Sequence, residues 1–160
     1  MTDTQQHPTC CGVLVFRKKK LADAEQKEDN WECAIVLQDN GRNYSFPKGG
    51  KHKGETPLQN AKRELEEETS LTDEHIELLP PESTFVDEQR DGKLCVRYFV
   101  GILRDEFYNF KLKAKDPTEI DQVDWFSYPK AAAVLIPRRL AVLVAGMAAV
   151  SRAKLERKSN

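Results

Sequence analysis

Nowhere does this 160-residue sequence offer the roughly 20 consecutive apolar residues that a membrane-spanning helix needs, so no membrane partner is expected. The first eight residues, MTDTQQHP, are polar and lack the apolar centre of a secretory signal. No C-x-x-C spacing occurs, which removes the common zinc and redox frameworks. The four cysteines, Cys10, Cys11, Cys33 and Cys95, are expected to be free thiols in a reducing compartment. Together these absences lead to the expectation of a cytoplasmic chain, or a nuclear one as well. Neither sign of charge is in excess: 25 Lys and Arg face 26 Asp and Glu, for a formal net charge of −1. A stable nucleic-acid partner would ask for a strongly basic balance and is not expected. Internal repeats and low-complexity segments are also missing. Oligomeric state leaves no mark in the sequence.

What is present fits one soluble domain over residues 9–156, between a polar tail at 1–8 and a short tail at 157–160. CCGVLVF (Cys10 to Phe16) is apolar and β-branched and reads as a buried strand. RKKKLADAEQKEDN reads as an exposed loop, and WECAIVLQ as the next strand. Asn40-Gly41 signals a turn, after which Tyr44–Phe46 is a short extended piece. Lys48, Gly49 and Gly50 read as a flexible loop. Thr56 caps a helix that starts at Pro57 and runs to about Ser70. STFVDE and LCVRYFVGIL flank an Asp91-Gly92 turn as a hairpin, QVDWFSY is a further strand, and Arg138–Glu156 is a closing helix. The order of strands, helix, strands, helix implies an α/β chain with a mixed sheet between helices.

The helix after Pro57 gathers Glu64, Glu67 and Glu68 within about a 100° arc of one face. Like charges three and four apart repel by a few tenths of a kcal/mol, by analogy with the roughly 0.2–0.5 kcal/mol of favourable pairs. A solvated surface tolerates that. Here, however, a glycine-rich, basic loop leads into the helix: Lys48, Gly49, Gly50, Lys51, His52 and Lys53. Carboxylate and phosphate oxygens are what Mg²⁺ prefers, and glycine amides with lysines hold phosphate. The combination points to metal-dependent phosphate chemistry.

The stretch GGKHKGETPLQNAKRELEEETSL closely resembles the Nudix box, G-x5-E-x7-R-E-U-x-E-E-x-G-U, with U a large aliphatic residue. Gly49, Glu55, Arg63, Glu64, Leu65, Glu67, Glu68 and Leu71 match, and only the last glycine is replaced, by Ser70. The resemblance extends over roughly residues 9–155 and implies a Nudix-type α/β/α sandwich. It implies Mg²⁺ or Mn²⁺ held by Glu64 and Glu68, with Glu67 as a further ligand or as the base toward water. It implies the Gly49 carbonyl as another metal donor, and Glu55 with Arg63 as a structural brace. Family members often add a late acidic residue; in DPTEIDQVDWF this is Glu119, with Asp121 second.

The box specifies chemistry and leaves substrate open. SFPKGG resembles the corresponding turn of diphosphoinositol polyphosphate and diadenosine polyphosphate hydrolases. A small polyphosphorylated substrate would be met by Arg17, Lys18, Arg42, Ser45, Lys48, Gly49, Gly50, Lys51, Lys53 and Arg97 if they converge. Such a cluster favours diphosphoinositol polyphosphates, with diadenosine polyphosphates next. A nucleotide would want an aromatic platform, for which Tyr44, Phe85, Tyr98 and Tyr128 are candidates, each more simply explained as packing. An mRNA-cap or other nucleoside-diphosphate-linked hydrolase is the alternative enzyme. A phosphate-binding module without catalysis is the alternative from another class, disfavoured because every box glutamate is present.

Overall fold

A computed structural model of the chain describes residues 7–19, 30–81 and 84–158, the side chains of 155–158 excepted. Lys20 and the stretch 20–29, read above as an exposed loop, lie outside the described residues. The strands are β1 (Cys10–Lys18), β2 (Trp31–Gln38), β3 (Asn43–Ser45), β4 (Lys48–Gly50), β5 (Ile76–Leu78), β6 (Phe85–Arg90), β7 (Lys93–Leu103) and β8 (Gln122–Ser127). The helices are α1 (Pro57–Thr69), α2 (Tyr128–Val134) and α3 (Pro137–Lys158). The closing helix thus runs two residues past Glu156.

The strands form one mixed sheet in the order β3-β2-β1-β7-β5, with β4, β6 and β8 pairing β1, β7 and β2. Only β1 and β7 are parallel to each other. The apolar run of β1 is continuous because both its faces are covered. Leu14 and Phe16 join the core under α2 and α3. Cys11, Val13 and Val15 join the core under α1 with Ala61 and Leu65. The result is the expected α/β/α sandwich. Among the described residues no helix is long and apolar enough to cross a membrane.

Local chemistry sets the ends of α1. The Thr56 hydroxyl accepts from the Gln59 amide at 3.1 Å, and the Gln59 side chain accepts from the Thr56 amide at 3.0 Å. This reciprocal box, with Pro57 following, fixes the first turn. Thr56→Ala is expected to cost about 1 kcal/mol, read as a lower midpoint in urea with an unchanged slope. At the other end Ser70 takes the left-handed conformation, φ 69°, that a glycine adopts more freely. Its amide donates to Glu66 O at 2.9 Å and its hydroxyl donates to Lys113 O at 2.5 Å. The helix therefore stops where the box glycine would stop it, by the same left-handed cap with an added side-chain bond.

Lys48–Gly50 is a strand, not the flexible loop expected from its composition. β1 recruits it: Cys10, Cys11 and Gly12 pair with Gly50, Gly49 and Lys48. Gly12 allows the approach, since a Cβ there would lie 2.0 Å from Pro47 O. On the opposite sheet face, buried Glu88 of β6 accepts from Arg138 Nε of α3 at 2.9 Å and from Tyr98 OH at 3.2 Å.

Candidate active site

Helix α1 lies along β4, and residues four apart meet successive strand positions. Asn60 Nδ2 donates to Gly49 O at 3.1 Å and Gly50 O at 3.3 Å. One turn on, a Cβ on Gly49 would lie 2.1 Å from Glu64 Cδ, so only glycine lets that carboxylate rest on the strand. Another turn on, Glu68 Oε1 accepts from the Lys48 amide at 3.2 Å. The i, i+4, i+8 spacing of one helix face thus becomes a stripe of polar groups against a strand edge.

Which carbonyls face this stripe follows from the ladder. Lys51 N donates to Thr9 O and Val13 N to Pro47 O, which fixes Cys11 opposite Gly49 as a hydrogen-bonded pair. The Gly49 carbonyl, which the resemblance implies as a metal donor, is turned toward β1 by this pairing and also accepts from Asn60 Nδ2. Lys48 and Gly50 alternate with it and turn their carbonyls away from β1. By this alternation Lys48 O is turned to the same side as the Lys48 amide that donates to Glu68, while Gly50 O accepts from Arg63 Nη2 at 2.8 Å.

Arg63 organises the rest. Its Nε and Nη2 donate to Glu55 at 2.7 and 3.0 Å, a bidentate pair that links the loop to the helix. Its Nη1 reaches Glu64 at 3.0 Å and Glu67 at 3.2 Å. The guanidinium, helped by the His52 amide, holds the Glu55 carboxyl down at about 2. Glu64 and Glu68 are 9% and 7% exposed. Burial pushes Glu68 up to about 8, against the Lys48 amide and with help from the negative charges of Glu64 and Glu119. Burial raises Glu64 as well, with Arg63 opposing. Ionised, these two carboxylates ask for a cation. The donors facing them are all oxygens: Glu64, Glu68, the Lys48 carbonyl and, near by, Glu67 and Glu119. That set suits Mg²⁺ or Mn²⁺ and not a softer ion. Among the described residues no three carboxylate, imidazole or thiolate groups already converge on one point, because Arg63 draws Glu64 and Glu67 to itself.

Glu119 lies on an exposed loop within electrostatic reach of both Glu64 and Glu68. Asp121, the second choice, instead accepts from the Gly41 amide at 2.9 Å and ties that loop to the β2–β3 turn that holds Arg42. The basic residues divide. Lys48 lies within electrostatic reach of Glu68, and Lys51 and Lys53 are exposed on the loop that follows β4. Arg17 does not join them: it sits five residues beyond Gly12, about 16 Å along β1. There it pairs with Glu32 at 2.9 Å, between the rings of Tyr108 and Trp125. Lys18 follows it at the same far end. Ser45 is 1% exposed, its hydroxyl donating to Phe46 O, and does not face a ligand.

Arg97 does come close. Asp87, Arg97, Cys11 and Gly49 are successive partners across four strands, so Arg97 stands about 10 Å from Gly49 on the α1 face. Both oxygens of Asp87 accept from it, at 2.8 and 3.0 Å, and its guanidinium lies 3.8 Å from the centroid of Phe85. Phe85 is 44% exposed, not packed away; Tyr98 is fully buried, and Tyr44 and Tyr128 are half-buried.

A family model for the NUDIX domain matches residues 6–144. This chain belongs to the NUDIX domain family. Among curated relatives, the RNA pyrophosphohydrolase of Acinetobacter baylyi is 30% identical over 97 residues, 53% of this chain and 58% of the relative. That of Xanthomonas oryzae is 33% identical over 110 residues, 59% of this chain and 53% of the relative. The match thus spans just over half the length of these relatives. The NUDIX fold is shared with solved structures. A C. elegans Ap4A hydrolase binary complex has a TM-score of 0.69 at 18% identity, covering 91% of this chain and 98% of the other. A mutT/nudix family protein of Listeria innocua has 0.63 at 23% identity, covering 94% and 99%.

Two features of this NUDIX site were not read from the sequence: Asn60, and the exposure of Phe85 beside Arg97. The first had a signal, its four-residue spacing from Glu64. The second had none, since nothing local says that β6 lacks a helix over that face.

Proposed function

We propose that this chain is a divalent-metal-dependent pyrophosphohydrolase that cleaves phosphoanhydride bonds in small polyphosphorylated compounds, diadenosine polyphosphates first among them. The observation that carries the substrate choice is the row from Glu64 and Gly49 through Cys11 to the Arg97–Phe85 stack. Gly49, against which the Glu64 carboxylate rests, and Arg97, which backs the exposed Phe85 ring, share one sheet face about 10 Å apart. A base stacks on such a ring while its phosphate chain reaches the acids. Diphosphoinositol polyphosphates, which the full basic cluster favoured, are the second reading. They keep Lys48, Lys51 and Lys53 but lose Arg17 and Lys18 to the far end of β1, and Asp87 neutralises Arg97. The RNA 5′ end, suggested by the names of the relatives, offers both a base and a triphosphate and is a third arm of the test.

Mg²⁺ or Mn²⁺, when bound, neutralises phosphate charge and lowers the pKa of a coordinated water. Glu64, Glu68 and the Lys48 carbonyl would hold it, with Glu119 adding charge from the loop. Glu67, half exposed and free to turn from Arg63, would take the proton from the attacking water. Arg63 would keep Glu55 and the β4 edge in place, and Lys48, Lys51 and Lys53 would receive phosphate oxygens.

The test is turnover of diadenosine tetraphosphate, 5-diphosphoinositol pentakisphosphate, ADP-ribose, triphosphorylated RNA and capped RNA under Mg²⁺. Phe85→Ala is expected to raise KM for the adenine dinucleotide roughly tenfold, from the 1–3 kcal/mol of one stacked base, and to leave the inositol compound unaffected. Faster turnover of the inositol compound than of any nucleotide would sink the first reading and establish the second.

A further inference from the structure

Asn60 has no role in the reading above, yet its surroundings are unusual. It is 0% exposed, and its Oδ1 is buried with no hydrogen-bond partner. The two carbonyls that accept from Nδ2 fix the amide orientation, so the orphan oxygen cannot be relieved by turning the amide over. Burying an unsatisfied carbonyl is costly, and an apolar side chain would fill this place without that cost. The position retains an amide for what its N–H groups hold.

They hold β4. This strand is three residues long, two of them glycines with no side chain to pack, and among the described residues no second strand pairs with its far edge, where α1 lies. Gly50 O has a second donor in Arg63 Nη2, at 2.8 Å. Gly49 O is gripped from the α1 side by Asn60 only, among the described residues. Gly49 is also where Glu64 touches the strand, and Lys48, one residue before, is where Glu68 does.

We propose that Asn60 is a positioning residue. It clamps β4 to α1 in the one register that sets the Lys48 carbonyl, Glu64 and Glu68 side by side for a divalent cation. It touches neither substrate nor cation and acts through the strand. This rests on the metal-dependent reading of the site.

The test uses the full chain and Mn²⁺ as the probe, with free Mn²⁺ read by electron paramagnetic resonance. Asn60→Leu keeps the bulk and removes the donor. Asn60→Asp keeps the shape and replaces the donor with an acceptor. Both are expected to weaken Mn²⁺ binding about 10–100-fold, the range for residues that orient metal ligands. Asn60→Leu is expected to melt in EDTA no lower than wild type, since the orphan oxygen is gone. KM for substrate at saturating Mn²⁺ is expected to stay within twofold. A packing role predicts the reverse: a lower melting temperature and unchanged Mn²⁺ affinity. Should Asn60→Leu fail to fold, Asn60→Asp decides alone. Wild-type Mn²⁺ affinity in a folded variant overturns the proposal. Glu64→Gln separates the two levels. If it too binds Mn²⁺ normally, the metal reading fails and the clamp falls with it. If it loses Mn²⁺ while the Asn60 variants keep it, only the clamp is wrong.

Discussion

Glu68→Gln is expected to lower kcat about 10²–10³-fold, the usual effect of removing one preorganised electrostatic contact, while making the metal-free protein more stable at alkaline pH. The two effects share a cause. Glu68 is 7% exposed, and burial raises its pKa to about 8, against about 4.3 in an unfolded chain. Between those values the folded protein binds a proton that the unfolded chain has lost. The stabilisation is therefore full below about pH 4 and is lost as pH rises through about 8. Glu64 is shifted in the same direction and adds to the trend. In EDTA the melting temperature should fall from pH 5 to pH 9, and Glu68→Gln should flatten that fall. Even 1–2 kcal/mol of such linkage moves Tm by roughly 2–8 °C in a chain of this size. Mg²⁺ should restore wild type at pH 9 and do little for the variant. A pH-independent Tm in wild type would contradict the burial of an ionisable carboxylate. Undiminished Mg²⁺-dependent turnover in Glu68→Gln would remove this residue from the catalytic assignment. A wild-type chain that binds but turns over none of the phosphate compounds would leave a binding module.

Gly49→Ala should be nearly as damaging, and Gly50→Ala nearly silent. A methyl group at Gly49 would lie 2.1–2.3 Å from the carboxyl atoms of Glu64, whereas one at Gly50 meets nothing within 4 Å. The Glu64 side chain would have to leave the strand. Metal affinity is then expected to fall about 10–100-fold, with a stability loss of about 1–3 kcal/mol from overpacking. Isothermal titration with Mn²⁺ and urea unfolding of both variants provide the comparison. Equal behaviour of the two would mean that Glu64 does not depend on its contact with the strand. Adjacent glycines in one motif thus carry separate demands: the first leaves room for the Glu64 carboxylate, while the second carries no demand of that kind.

The sequence showed most of the frame because the frame obeys local rules. β1 reads as a run buried on both faces, and it is one. Thr56 and Pro57 mark the start of α1 by cap chemistry, independently of packing. β4 stayed hidden because Lys-Gly-Gly has no strand preference of its own; Cys10–Gly12 impose the pairing. The box acids were legible from spacing, since four residues along a helix is a fixed geometry. The substrate side was not. Composition places Arg17 and Lys48 in basic runs of equal weight, yet Arg17 lies near one end of β1 and Lys48, on β4, is paired beside the other. Phe85 has the sequence environment of a core residue and becomes exposed because α1 covers β1 and leaves β6 open on that face. Asn60 sits between: its spacing from Glu64 was visible, but an amide in a helix announces nothing until the strand beside it is known.

Ser70 ends α1, and its hydroxyl also fastens the helix to Lys113. Lys113 N donates to Thr69 O, Lys115 N donates to Glu67 O, and Lys115 Nζ meets Glu66. The segment 113–115 is thereby stitched to the last turn of the helix, and Glu119 follows four residues later. The stitched segment is a handle on the site. Anything that pulls it away, whether an insertion, a cut or a docked partner, withdraws a negative charge from Glu64 and Glu68 and leaves the motif itself untouched. On the proposed role of Glu119, activity would then be lost through residues that carry none of the motif, and a reading of the motif alone would call the protein intact.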